Sequence, residues 1–593
     1  MHHTRSETAR RAVLTPVNDG AGYPFESGLF GVNTEITRKG FFGGLCAQML
    51  NNRKLLMGKD GADGWDMQNF ERVTDRPWES LCESNFVILR DGGRMAQTAE
   101  AIALQQDREY EARVWVKALT ETADVTFGME GMEQTFTVTD DGATYKELSF
   151  TFTGEDSENH TFAVTVSGEA AVFELSLMPT DHFYGMRRDV IEALRILAPT
   201  SLRFPGGCAA DHFDWKESLK APEFRKPSDG SSKWFLFRDS YNQDCLDVGL
   251  CEFMMLCREL GAEPEYTVSL LLSDGEDARR LVEFCNGGES TEYGAKRQAL
   301  GFDAFDIRLW YVGNEAYFFG GEYQSSAAAA GRTDELISAM KRADPTISVA
   351  IGLTWGNDFR GWAFDFMAKL TVPFEYVSYH DYIGILPDPS QGHNGMATCE
   401  LLEDNFRDGE CFGLNFYRNE LFAANFKNIR ICVDEWNYSW GYDSSNALFF
   451  SNALQFHFLA KSKETYHIDR AEFFMPVNEG MISVTPTDCR IESSGELFRL
   501  MASHKGGRVV DCRSDYGELD ILCTDHGGSL FLSVVNRRDT PCRLEVPGYD
   551  VSACTEIRSG EYSFACNQFS VEHPEDAVVG GHSVLFFTLT PTV

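Results

Sequence analysis

Positive charge is scarce in this chain: 53 Lys and Arg stand against 90 Asp and Glu, a net charge of −37 over 593 residues. Nucleic acid and anionic membranes would be repelled by such a field, so neither is expected as a partner. Long apolar runs are missing too, and with them any bilayer-spanning helix. The opening MHHTRSETARRAVLTPVNDG has basic residues but no apolar core and no small-residue cleavage site, so no secretory signal is read there. The 16 cysteines form no C-x-x-C pair; Cys245, Cys251 and Cys257 stand six apart, which is no familiar metal-ligand spacing. Free thiols in a reducing cytoplasm are the expected state.

What is present is a globular composition, 43% apolar and 13% aromatic, in a chain long enough for one large enzyme domain and one or two β-rich modules. Residues 64–180 alternate with period two. In YEARVWVKAL, Tyr110, Ala112, Val114 and Val116 share one face; KELSFTFTG does the same with Leu148, Phe150 and Phe152, and HTFAVTVSG with Phe162, Val164 and Val166. Runs of this kind between Asp/Gly turns predict an antiparallel sandwich. The period then changes. Val190, Ile191, Leu194 and Leu197 form a helical stripe, Pro199 stops it, and Ser201–Phe204 runs as a strand into Pro-Gly-Gly. Leu250, Phe253, Met254, Cys257 and Leu260 make the next stripe, with Gly261 as its C-cap.

Strands ending near Pro205, Leu270, Glu315, Trp355, Tyr382, Trp436 and Val477 make seven, and GLFGVNTEIT (28–37), followed by the helical-looking GGLCAQMLNNRKLL, makes an eighth. Eight βα units predict an α/β fold, a (β/α)8 TIM barrel. An open doubly wound sheet is the rival, and the G-x-G-x-x-G it would need is missing. The predicted division is 1–63, N-terminal segment and first barrel unit; 64–180, inserted β-sandwich; 181–496, catalytic barrel; 497–593, C-terminal β-sandwich. The apolar-containing segment 12–18 is expected to pair with the strand after Gly28.

Residues at the C-terminal ends of barrel strands face the mouth. Glu35, Glu315 and Glu435 fall there, with Arg203, Asn314, His380 and Tyr382. Two carboxylates facing one another suggest glycoside chemistry, one as proton donor and one as nucleophile or base. Each residue also has a structural reading: a solvated or ion-paired glutamate, an arginine bridging floor carboxylates, a satisfied core histidine, a packing tyrosine. Asp434, by alternation, is expected to face away from the mouth.

RLWYVGNEAY and RICVDEWNYSW resemble the acid/base and nucleophile motifs of glycoside hydrolase family 51, the α-L-arabinofuranosidases. GLFGVNTEITRKGFFGGLCAQMLNNR, GMRRDVIEALRILAPTSLRFPGG, EFMMLCRELGAEPEYTVSL and VSYHDY resemble further segments in the family's order, from about residue 28 to the C-terminus. The inserted sandwich matches the larger type of member and resembles a carbohydrate-binding module. The resemblance implies Glu315 as acid/base, Glu435 as nucleophile, Asn314 bonded to the sugar hydroxyl beside the reacting carbon, and Glu35 on other sugar hydroxyls. It implies that Arg203 keeps the nucleophile ionised, with the His380/Tyr382 pair beside it. Trp436 and Trp440 are expected near the sugar, and Trp215 and Trp234 as a platform for the rest of the substrate. No metal or cofactor is implied, and the implied partner is an arabinofuranosyl-containing oligo- or polysaccharide; family members are often homo-oligomers. Two departures stand out. Cys208 follows Pro-Gly-Gly where many members have a sugar-binding Asn, and a Gln found after the eighth strand in some members has no counterpart near CRIESSGELFRLM. They leave open another furanoside or a β-glucan or β-xylan as substrate. A non-catalytic carbohydrate-binding protein is the alternative from outside enzymology.

Overall fold

The computed structural model describes residues 9–17, 22–37, 39–56, 64–99, 102–142, 144–156, 160–229, 243–319, 321–352, 360–382, 428–437, 448–559 and 569–592. Its centre is a closed barrel of eight parallel strands. In chain order these are β1 (Gly31–Asn33), β2 (Ser201–Phe204), β3 (Glu263–Val268), β4 (Leu309–Val312), β5 (Ser348–Gly352), β6 (Tyr376–Tyr382), β7 (Arg430–Asn437) and β8 (Ile468–Phe474). β8 closes the ring on β1, with Glu472 opposite Gly31. These are the strands the sequence predicts.

Alternation sorts the side chains. Leu202, Phe204, Tyr266, Val268, Trp310 and Val312 point outward, into the same core as the apolar stripes of the surrounding helices. Among those helices are α1 (Arg188–Leu197) and α2 (Leu250–Leu260). Val190, Ile191, Leu194 and Leu197 of α1 are almost fully buried, each contributing about 1.5–3 kcal/mol of transfer free energy. Gly261 ends α2 in the left-handed region at φ +67°, the conformation for which glycine has no steric cost. The alternate positions face the lumen, where Leu309, Tyr311, Ala350, Tyr376 and Cys432 pack together.

The first crossover departs from expectation. No helix follows β1 across 43–56. A single turn at Phe41–Leu45 contains Gly43 at φ +76°, and the chain then runs without helical bonding. Its buried polar side chains tie it to its neighbours instead. Gln48 bonds Ser176 and the Leu177 amide, and the Lys54 ammonium donates to the carbonyls of Pro222, Arg225 and Cys245. The helix that covers this crossover is α1, which comes after the inserted sheet.

The insertion is antiparallel, with strands running from Asp66–Val73 to Ala170–Pro179 and its own core around Leu89, Val114, Phe127 and Val164. The C-terminal sandwich runs from Arg508–Val509 to Val584–Pro591. It also takes in the N-terminus. Strand Arg10–Pro16 lies parallel to Cys542–Glu545 and antiparallel to Cys512–Ser514, so the pairing expected with the strand after Gly28 does not form. Its buried Ala12 and Leu14 belong to the sandwich core. Among the described residues no disulfide joins the cysteines, and no helix is long and apolar enough to cross a membrane.

Candidate active site

The site is built on the C-terminal ends of β1, β2, β4, β6 and β7. Arg203, on β2, is wholly buried in the lumen and organises its centre. Its Nε donates to Thr267 Oγ1 at 3.0 Å, Nη2 to Asn314 Oδ1 at 2.9 Å, and Nη1 lies 3.0 Å from Asp434 Oδ2 and 3.2 Å from Glu435 Oε1. The guanidinium stacks on the Tyr311 ring at 4.6 Å. Burial opposes its charge, but Asp434, Glu435 and Glu472 more than offset that and raise its pKa.

Glu435 also accepts from the Tyr382 hydroxyl at 2.8 Å and from Asn33 Nδ2 at 3.5 Å. Burial, reinforced by the charges of Glu315 and Glu35 and opposed by His380 and Arg203, pushes its carboxyl up to about 7. Burial and Glu435 together raise the Tyr382 phenol, which stays a donor. Glu315 follows β4 in the left-handed region at φ +41°, a strained conformation for a residue with a side chain. Its Oε1 lies 2.7 Å from His380 Nδ1. That nitrogen is also 3.4 Å from Glu435 Oε2, while His380 Nε2 is 3.7 Å from Asp434 Oδ2. Burial disfavours the imidazolium, yet Glu435, Asp434 and Glu315 around it lift its pKa well above the usual value. Donor atoms of Glu315, His380 and Glu435 all lie within 4.8 Å of one another. Here His380 stands between the two glutamates and contacts each of them directly.

The Pro-Gly-Gly turn is fitted to this cluster. A Cβ on Gly207 would stand 2.2 Å from Glu435 Oε1, and one on Gly206, at φ +115°, would meet the Glu35 side chain at 2.3 Å. The Gly207 amide donates to Glu35 Oε2 at 3.1 Å. Cys208 joins them: its thiol donates to Glu315 Oε2 and accepts from Asn314 Nδ2, both at 3.5 Å. Burial and the charges of Glu315, Glu35 and Glu435 keep that thiol protonated.

Eight of the nine residues read from the sequence as site residues therefore come together: Glu35, Arg203, Cys208, Asn314, Glu315, His380, Tyr382 and Glu435. Trp436 does not. It is 1% exposed and packs outward on Phe473 and Phe456, behind the strand. Trp215 is likewise no platform; it is 3% exposed, bonded to Asp277 and packed on Phe284 and Tyr293. Trp234 and Trp440 lie outside the described residues. Asp434, expected to face away, faces the lumen. One cause accounts for Asp434 and Trp436 alike. β7 carries an extra residue relative to both neighbours: Ser378 and His380 pair with Cys432 and Glu435, and Val433 and Trp436 pair with Ala471 and Phe473. This bulge turns two successive residues, Asp434 and Glu435, inward and returns Trp436 to the outer face. Sequence reasoning also missed Asn33 and Thr267. Asn33 sits two residues before Glu35 in GVNTE, a strand-end polar residue that the same logic could have found.

Residues 193–383 match the family model described as Alpha-L-arabinofuranosidase 1 domain. Alpha-L-arabinofuranosidase 2 of Arabidopsis thaliana is 25% identical over 411 residues, which cover 60% of this chain and 57% of that protein. The intracellular exo-α-(1→5)-L-arabinofuranosidase of Acetivibrio thermocellus is 27% identical over 285 residues, 44% of this chain and 50% of that one. The chain thus spans about half the length of the curated relatives it matches. Among solved structures, an arabinose-bound GH51 α-L-arabinofuranosidase superposes with a TM-score of 0.72 at 17% identity, covering 98% of this chain and 100% of that one. The GH51 arabinofuranosidase of Xanthomonas axonopodis pv. citri gives 0.61 at 14% identity, with the same coverage. By fold, then, the chain is a sandwich-bearing (β/α)8 barrel like those two structures. By sequence, its residues 193–383 are similar to an α-L-arabinofuranosidase domain, and the chain is similar to α-L-arabinofuranosidases at 25–27% identity.

Proposed function

We propose that this protein is a retaining exo-glycosidase that removes terminal, non-reducing α-L-arabinofuranosyl groups from oligo- and polysaccharides. The observation that carries the reading is the close approach of Glu315 and Glu435, whose carboxylate oxygens share His380 and lie within 4.8 Å. Retaining pairs stand about 5–5.5 Å apart, whereas inverting pairs leave room for a water. Glu435, steadied by Arg203 and Tyr382, attacks the anomeric carbon while Glu315 gives its proton to the leaving oxygen. The resulting glycosyl-enzyme is opened by a water that Glu315 deprotonates. Asn314, its Oδ1 held by Arg203, presents its amide toward the hydroxyl beside the reacting carbon, where bonding strengthens as the oxocarbenium ion develops. Glu35 and Cys208 stand against the same cluster, and Glu35 is the carboxylate that meets the remaining hydroxyls. The names of the relatives, intracellular exo-acting enzymes among them, support this substrate and a cytoplasmic setting.

Cys208 supports a second reading. A thiol where many members carry an amide gives up a strong sugar contact, and this favours a different furanoside, or a β-glucan or β-xylan, on the same machinery.

The test is hydrolysis of 4-nitrophenyl α-L-arabinofuranoside by wild type, Glu435→Ala and Glu315→Ala, each with and without azide. The expected result is turnover by wild type and collapse in both variants. Azide should then yield glycosyl azides of opposite anomeric configuration from the two variants. Turnover of another aryl glycoside alone would shift the conclusion to the second reading, and no turnover across a panel would refute the enzyme.

A further inference from the structure

We propose that Asp434 is a positioning residue of this site, the fixed counter-charge that holds Arg203 and His380 in place against Glu435 and Glu315. The inference rests on the reading of Glu315 and Glu435 as a retaining pair.

The geometry is that of a closed circuit. Asp434 Oδ2 lies 3.0 Å from Arg203 Nη1 and 3.7 Å from His380 Nε2, while Oδ1 is pinned by the Tyr379 amide at 3.1 Å. It is wholly buried and carries no exposure through which water could take its place. From that anchor Arg203 reaches Glu435 and Asn314, and His380 reaches Glu315 and Glu435. Asp434 thus touches neither reacting carboxylate and orients the donors of both.

Charge balance gives this arrangement its use. Before reaction Arg203 and His380 contribute two positive charges and Asp434 and Glu435 two negative ones, with the proton on Glu315. After attack Glu435 is an uncharged ester and Glu315, its proton given to the leaving alcohol, is the carboxylate. Over these five groups the sum is unchanged, with the Glu35 carboxylate standing beside them in both states. His380 Nδ1 sits within reach of both carboxylates, so it can follow the negative charge from Glu435 to Glu315 without gaining or losing a proton. Without Asp434, Arg203 and His380 lose a counter-charge that does not change as the reaction proceeds. His380 then has only the two reacting carboxylates to keep it charged. The charged and titratable groups facing His380 are Glu315 after β4, Asp434 and Glu435 on β7, Arg203 on β2 and Tyr382 on its own strand.

The experiment compares wild type, D434N and D434E. D434N keeps the size of the side chain and an oxygen for the Tyr379 amide; D434E keeps the charge and moves it by one methylene. Long-range 1H–15N spectra of histidine-labelled protein, with the His380 signal assigned from His380→Gln, follow the imidazolium against pH without any substrate. In D434N the His380 titration should move down by roughly 1–3 pH units, the usual consequence of losing an adjacent opposite charge. In D434E it should stay near wild type. With 4-nitrophenyl α-L-arabinofuranoside, kcat should fall about 10- to 100-fold in D434N, with KM changed less than about threefold. An unmoved His380 titration in D434N, or D434N activity within about threefold of wild type, overturns the proposal. So does failure of both variants to fold, which assigns Asp434 to the scaffold alone. If the wild type leaves the arabinofuranoside untouched, the proposed function fails while the titration still decides the role of Asp434.

Discussion

Removing a single oxygen, with Tyr382→Phe, tests how Glu435, the proposed nucleophile, is kept ionised. The Tyr382 hydroxyl donates to Glu435 Oε2 at 2.8 Å, and its half-buried ring packs edge-on against Phe474 at 5.8 Å, a contact the phenylalanine keeps. A hydrogen bond to a charged partner is worth about 1.5–3 kcal/mol. That bond favours the carboxylate over the neutral acid. At about 1.36 kcal/mol per pKa unit, its loss raises the Glu435 pKa by about 1–2 units. Burial and the charges of Glu315 and Glu35 already hold it up at about 7. Attack needs the ionised form, so the acid limb of kcat/KM against pH reports this group in the free enzyme. The limb should move from near 7 toward alkaline pH by about 1–2 units, cutting kcat/KM at pH 6 by about 10- to 100-fold. The assay is initial rates on 4-nitrophenyl α-L-arabinofuranoside, whose good leaving group makes little demand on the proton donor. A loss of the same size at every pH would refute the reasoning, because it would mean that Tyr382 contacts the sugar and leaves the ionisation of Glu435 alone.

Gly207→Ala should cost at least about 100-fold in kcat/KM while the far-UV spectrum stays native. The added Cβ would lie 2.2 Å from Glu435 Oε1 and 3.2 Å from the Asn314 amide, and displacements of this order carry such losses. Activity within tenfold of wild type would show that the turn yields more easily than the geometry allows. Far from the site, His457 and His504 share the Ser533 hydroxyl at 2.7 and 2.9 Å, and their other nitrogens meet Asp520 and Thr524. Burial lowers both histidine pKa values, that of His504 well below normal. A base whose pKa is depressed on folding stabilises the fold above its unfolded value, near 6.5, and loses that contribution as pH falls below it. Urea midpoints of wild type should therefore drop relative to His504→Gln between pH 6.5 and 5, by up to about 1.4 kcal/mol per pH unit. A constant difference between the two proteins over that range would contradict it.

How much of this was legible in the sequence follows from which periodicities are strictly kept. The eight barrel strands were readable because each is a short apolar run ending at Gly, Pro or a polar residue, and helical stripes separate most of them. The segment after β1 misled because Leu45, Met49 and Leu50 have helical spacing. There Gln48, Arg53 and Lys54 are committed to partners on the inserted sheet and on the stretch 222–247. Those partners come from more than 120 residues away, and no local pattern announces them. The N-terminal strand failed in the same way. Its apolar positions are plain, but its partner, Cys542–Glu545, lies at the other end of the chain.

The errors at β7 are of a different kind, and they fall on the chemistry. Strict alternation lets a barrel strand present one residue in two to the lumen. A nucleophile placed that way has an outward-facing neighbour, and any counter-charge has to come from another strand. The extra residue in β7 lifts that limit. Asp434 and Glu435 both face inward, and one guanidinium, that of Arg203, spans the two at 3.0 and 3.2 Å. The bulge therefore sets Glu435 beside a permanent negative charge, and Arg203 and His380 balance the pair. Bulges gather near active sites because they re-aim side chains, and here the re-aiming is measurable in the register of both neighbouring strands. The sequence VDEW reads as ordinary alternation under either arrangement. Only the pairing of β7 with β6 and β8 distinguishes them, so the residue that contacts both Arg203 and His380 was the one that periodicity sent to the wrong face.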